Sequence, residues 1–214
     1  MNIKPGAKSK VSPLFALVAV AISGGMFISQ ASAVIINPGQ SAAPTGSGTF
    51  SGTIIDNETG TLNSGTFIAS LHSEVYQQSN GWLDFVYQLS NVVTGGDSIE
   101  TLSISSYNDL FLNVDDSLVA GGVAPSQMSR SALDVSSDDT LNFTFNSGLA
   151  PGSTSDLLVV QTHATSFYEG TASAIDELPA NVQAPVPVPE PATVAIAGFT
   201  LCTLGLRRRK AVGK

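Results

Sequence analysis

The sequence predicts an all-β protein, and three observations carry the prediction. Apolar and polar residues alternate with a period of two in several runs, turn-forming residues separate those runs, and nothing between Thr49 and Leu178 has convincing helical periodicity. Roughly six to nine short antiparallel strands joined by turns make a β-sandwich of jelly-roll or immunoglobulin-like type. Composition agrees: 43% hydrophobic residues can supply a packed core, and the 20 glycines follow no Gly-x-y period, which argues against a disordered or collagen-like chain. The 214 residues fit one domain of ordinary size with processing segments at both ends.

Taken in chain order, the elements begin with an address. Lys4, Lys8 and Lys10 precede an apolar run from Leu14 to Ile22, and Ala31-Ser32-Ala33 puts small residues where a signal peptidase pocket accepts them. Residues 1–33 are expected to be a signal helix, cleaved after Ala33, because the apolar run is shorter than the ~20 residues of a spanning helix. Residues 34–48, rich in Gly, Pro, Ser and Ala, read as a flexible leader.

The ectodomain is expected over residues 49–178. Strands are predicted at Thr49 to Ile55, Phe67 to Tyr76, Trp82 to Leu89, Ile99 to Ser105, Leu141 to Asn146 and Asp156 to Thr162. Leu141, Phe143 and Phe145 alternate with Asn142, Thr144 and Asn146, so one face of that strand is buried and the other wet. Leu83, Phe85, Tyr87 and Leu89 share a face in the same way, as do Phe67, Ala69, Leu71 and Val75. Leu157-Leu158-Val159-Val160 is apolar on both faces, which predicts a central strand. Asn80-Gly81, Gly95-Gly96 and Pro151-Gly152 mark turns.

Beyond the domain, residues 179–191 carry prolines at 185, 187, 189 and 191 and read as an extended polyproline linker. Pro191 has its φ preset for a first helical turn, and Glu190 sits at the positive end of the helix dipole. A short transmembrane helix is therefore expected over 192–206; its 15 residues rise roughly 22 Å, short of the ~30 Å hydrocarbon core. Arg207, Arg208, Arg209 and Lys210 follow in a basic tail over 207–214, which the positive-inside rule keeps cytoplasmic. Both ends therefore place the ectodomain outside.

The order Pro189-Glu190-Pro191, apolar helix, arginine cluster resembles the PEP-CTERM sorting signal of exopolysaccharide-producing Gram-negative bacteria. The likeness covers Val186 to Lys210. It implies a precursor held transiently in the inner membrane, recognition by an exosortase, cutting near the motif, and passage of the ectodomain to the cell surface or extracellular matrix. Gly81 to Gln88, Pro151 to Ser155 and Thr162 to Thr165 resemble segments of ectodomains that precede such tails, most of them of unknown function.

Charge narrows the partners. Between Val34 and Leu206 Arg130 is the only basic residue against 17 carboxylates, a net of −16, so phosphate backbones are repelled and nucleic acid is excluded as a partner. Cys202 is the only cysteine and lies in the apolar tail, so the exported domain must hold together by packing. His72 and His163 are the only imidazoles, without metal-ligand spacing, and no G-x-S-x-G elbow or phosphate loop accompanies the many serines. No enzyme activity and no cofactor are expected. Calcium is the one ion with candidate ligands, at Asp115-Asp116 and Asp138-Asp139, although solvated turns explain such pairs as well and neither common calcium loop pattern is present.

The reading that results is a non-enzymatic surface or matrix protein whose partners are signal peptidase and exosortase. The first alternative is a carbohydrate-binding module for the cell's own exopolysaccharide, with Trp82 opposite the core face of its strand and Tyr76, Tyr87, Tyr107 and Tyr168 as further stacking candidates. The second alternative is a secreted hydrolase, which requires His72 or His163 beside a hydroxyl and a carboxylate.

Overall fold

The computed structural model describes residues 33–92, 96–107, 112–132 and 139–188. The expected signal helix, transmembrane helix, sorting motif and basic tail lie outside the described residues, as does Asp138. Within them the chain is all β, with no helix, and forms twelve strands: β1 (Val34–Ile35), β2 (Ser41–Ala42), β3 (Thr53–Asn63), β4 (Ile68–Gln77), β5 (Leu83–Asn91), β6 (Ile99–Ser105), β7 (Asn113–Ser117), β8 (Gln127–Arg130), β9 (Thr140–Leu149), β10 (Leu157–Gln161), β11 (Phe167–Ile175) and β12 (Pro179–Pro187). They pair antiparallel in two sheets, ordered β1-β7-β10-β5-β4-β3 and β12-β11-β6-β9-β8-β2. A single apolar core draws on both: Leu71, Phe85, Leu89 and Val160 from the first sheet, Leu102, Ile104, Leu141 and Phe143 from the second.

The alternating runs behave as their period demands. Leu141, Phe143 and Phe145 are buried, as are Leu83, Phe85, Tyr87 and Leu89, and the four inward residues of the Phe67 to Val75 run. β10 lies between β7 and β5 with Leu158, Val159 and Val160 all buried, as expected of a strand covered on both faces.

Three segments differ from expectation, the first being the strand expected over Thr49 to Ile55, which begins at Thr53 and runs to Asn63 as β3. The leader is not free chain: β1 borders β7 at one edge of the first sheet and β2 borders β8 at the matching edge of the second. Two two-residue strands closing two edges give aggregation little to pair with. The linker is also absent over 179–187, where β12 pairs with β11 along its whole length and buries Ala180, Ala184 and Val186. Val188 N–H donates to the Ser166 carbonyl, so even-numbered amides face β11 and odd-numbered ones face the open edge. Pro179, Pro185 and Pro187 are all odd, so their missing donors fall where no ladder bond is needed. The prolines that suggest a polyproline spacer are the ones an edge strand tolerates.

At that edge β12 packs against β3 of the other sheet. The approach is close enough that a Cβ on Gly60 would collide with Val182. Tyr87, wholly buried on β5, donates to the Pro185 carbonyl at 2.6 Å and accepts from Tyr107 at 2.7 Å. Burial pushes both phenols above their ordinary range, so each keeps its proton.

Candidate functional site

On the outer face of the first sheet, one register row runs Asn113, Gln161, Asp84, Tyr76 across β7, β10, β5 and β4. The next row runs Asp115, Val159, Val86, Glu74. Val86 and Val159 are buried although they point away from the core. Their cover is the segment 45–51, which crosses the sheet between β2 and β3. Thr45 donates its N–H to Asp115 Oδ1 at 2.7 Å and its hydroxyl to Asp115 Oδ2, and Gly46 N–H donates to Asp116 Oδ1 at 2.7 Å. Gly48 N–H donates to the Asp116 carbonyl, so closely that a Cβ at Gly48 would lie 2.8 Å from that oxygen. Further along, Thr49 O accepts from Gln161 Nε2 at 2.6 Å, and Phe50 packs on Tyr76 with ring centroids 4.8 Å apart.

This strap accounts for one of the two acidic pairs. Asp115 and Asp116 are buried anchors of the leader, not solvated turn residues, and the Asp115 oxygens are taken up by Thr45 and by the Asp116 N–H. Asp116 is pushed up to about 6 by burial, with the backbone bond from Gly46 opposing the shift and Asp115 adding to it. Asp139 is buried against Arg130, whose Nε donates to its Oδ2 while Arg130 Nη2 donates to the Tyr107 carbonyl at 2.7 Å. Of the calcium candidates, Asp139 is thus bound by the Arg130 guanidinium, and Asp115 and Asp116 by the Thr45 and Gly46 donors of the strap.

Where the strap ends, the sheet opens into a cleft of about 270 Å³ lined by Gln78, Trp82, Asn113, Gln161, Thr162 and His163. Its aromatic wall is set by two local devices. The β4–β5 turn is closed by Gln78 N–H to Trp82 O at 2.9 Å, and Asn80 Oδ1 accepts from Trp82 N–H at 2.9 Å. Opposite, Thr162 Oγ1 donates to the Leu83 carbonyl at 2.8 Å and Leu83 N–H donates to the Ala164 carbonyl at 3.0 Å, which locks 162–164 against the start of β5. His163 is thereby stacked on Trp82, with centroids 3.9 Å apart and planes inclined by 28°. Trp82 stays 38% exposed.

The floor of the cleft is built of amides held in fixed orientation. Asn113 Nδ2 donates to Gln161 Oε1 at 2.8 Å, and Gln78 Nε2 donates to Asp84 Oδ1 at 2.7 Å. Asp84 is buried and its carboxyl is raised by that burial, partly offset by the bonds from Gln78 and Ser51. Asn113 Oδ1 is buried and has no hydrogen-bond partner. A buried acceptor left open costs roughly 1–3 kcal/mol.

The tyrosines do not join Trp82 in one platform. Tyr87 and Tyr107 are in the core, Tyr76 is packed by Phe50 and donates to Glu74 at 2.6 Å, and Tyr168 is exposed on the other sheet. His72 does lie between a hydroxyl and a carboxylate: Nδ1 is 3.0 Å from Thr59 Oγ1 and Nε2 is 3.1 Å from Glu74 Oε1. Thr59 and His72 are, however, a directly opposed cross-strand pair on the open sheet face, outside the cleft, and Glu74 also accepts from Asn57 and Tyr76. The His72 side chain is 37% exposed there.

One grouping escaped the sequence reading. Asp56 and Glu58 of β3 and Glu169 of β11 bring carboxylate oxygens within 4.8 Å of one another at the β3/β12 edge. Glu58 is pushed up to about 7 by burial and by the neighbouring Glu169 and Asp56 charges. No local motif announces it, because the three residues come from two sheets.

No family model, curated protein or solved structure matches the chain.

Proposed function

We propose that this chain is an exported, non-enzymatic surface or matrix protein, delivered by its signal peptide and sorted through a PEP-CTERM tail that an exosortase processes. The observation that carries the reading is the order of residues in the tail sequence: Pro189-Glu190-Pro191, an apolar stretch too short for a comfortable span, then Arg207 to Lys210. The ectodomain belongs to the jelly-roll side of the sandwich folds. From β5 to β11 every connection changes sheet except the β8–β9 hairpin, the alternation two Greek keys produce.

The fold tightens this reading at one point. Because β12 ends at Pro187, the four residues 188–191 are all that separate the sandwich from the apolar stretch, a reach of at most roughly 14 Å. The precursor holds its domain against the membrane, and an exosortase must approach the motif beside a folded edge. The test follows an epitope placed after Lys214 in the native host with and without its exosortase. Loss of the epitope only where the enzyme is present, and its retention in Glu190→Ala, supports sorting; retention in both strains by wild type and variant alike identifies an ordinary anchor.

A further inference from the structure

We propose that the cleft walled by Trp82 and His163 is a binding site for a neutral saccharide, taking a sugar ring against the aromatic pair and its hydroxyls against Gln78, Asn113, Gln161 and Thr162. This goes beyond the export reading and stands or falls without it.

Four features select the ligand class. First, a partly exposed indole held flat by a stacked imidazole offers the apolar face on which the C–H side of a pyranose packs. Second, the polar lining is the side-chain amides of Gln78, Asn113 and Gln161 with the Thr162 hydroxyl, groups that both donate and accept. A sugar hydroxyl can likewise donate to one and accept from its neighbour, whereas a phosphate or carboxylate brings acceptors only. Third, none of the six lining residues is Asp, Glu, Lys or Arg, and the −16 of the surrounding segment repels uronate or sulfated polymers. Fourth, about 270 Å³ lies just below the roughly 300–1,000 Å³ of ordinary small-ligand pockets, which suits one ring or a chain end more than an extended groove.

Pre-organisation also favours binding. Gln161 is fixed by Thr49 of the strap and by Asn113, and Thr162 by Leu83, so little side-chain freedom is lost when a ligand arrives. With a dozen or so ligand atoms in contact, the affinity is expected on the order of 1 mM.

Trp82 is the only tryptophan of the chain, so its emission reports on this site alone. The purified mature protein is titrated with short gluco-, galacto-, manno- and N-acetylglucosamine oligosaccharides and, as the anionic comparison, with oligogalacturonate. A saturable change with at least one neutral series and none with oligogalacturonate is expected. Retention in affinity electrophoresis through the neutral polymer should weaken about tenfold in Trp82→Ala and in Asn113→Ala. Tyr168→Ala, exposed on the opposite sheet, should leave it unchanged. Unfolding midpoints identify any variant that has lost its fold, and Trp82→Phe, keeping an aromatic wall, should retain part of the binding. An unchanged emission across all neutral series at about 20 mM, well above that affinity, overturns the proposal. So does oligogalacturonate binding equal to the neutral sugars, or equal retention of wild type and both cleft variants.

Discussion

Arg130 shows how far a single residue's role can depend on what surrounds it. In the sequence it is the one basic side chain of a strongly acidic segment; in the fold it is buried with Asp139 and also bonds the Tyr107 carbonyl. Removing it leaves a carboxylate buried without its cation, so Arg130→Ala should cost about 3–5 kcal/mol in urea unfolding. Charge on the surface would have cost almost nothing to lose. Proton sharing is the other residue-scale device. Glu58 rises from its ordinary 4.5 to about 7 and Asp116 from 3.8 to about 6, so the folded state holds these protons more tightly than the unfolded chain does. Their stabilising contribution is complete below the unfolded values and is lost as pH climbs through the folded ones. The thermal midpoint should therefore fall between pH 5 and pH 8, and Glu58→Gln should flatten that fall; a midpoint that rises across the same window in wild type contradicts the assignment. Such residue-scale facts were closed to sequence reading because partners such as Thr45 and Asp115 are 70 positions apart.

At the scale of elements, legibility followed the alternation of side chains. β4, β5, β6, β9 and β10 present clean period-two or doubly apolar runs, and each lies where its pattern puts it. The strands that escaped have physical reasons for doing so. β7 reads Asn-Val-Asp-Asp-Ser, a polar run that becomes a strand because β1 and β10 flank it and the strap satisfies its carboxylates. β11 turns Gly170, Ala172 and Ala174 inward, too small to raise a hydrophobic signal. β12 does alternate, Ala180, Val182, Ala184, Val186, but its prolines outweighed that pattern until the direction of its amides was known. Strand and linker make opposite forecasts for this segment. Val186→Ala should cost about 2 kcal/mol and Gln183→Ala under about 0.5, since one side chain is buried and the other exposed. In a linker neither change would register. β9 offers the same comparison in a strand already legible from sequence, where Phe143→Ala should cost about 3–5 kcal/mol and Asn142→Ala well under 1.

For the whole molecule, the fold constrains the proposed processing. The leader supplies both edge strands on one side of the sandwich and β12 closes an edge on the other, so the fold needs nearly everything from Val34 to Pro187 to be intact. Under the proposed processing, a signal peptidase cut after Ala33 would preserve β1, and an exosortase cut would have to fall beyond Pro187 or remove a strand whose side chains are in the core. The sequence disclosed the sheet content and marked Trp82 as an aromatic of interest. It did not disclose the cleft, since Trp82, Asn113 and His163 meet only after β5, β7 and β10 are aligned. Intact-mass and terminal-peptide mass spectrometry of the mature protein from its native host tests the account most directly. The account predicts a chain that begins at Val34, retains Val186 and Pro187, and lacks Ala192 to Lys214. A mature protein that still carries Leu14 to Ile22 or Arg207 to Lys210, or that ends before β12, would contradict it.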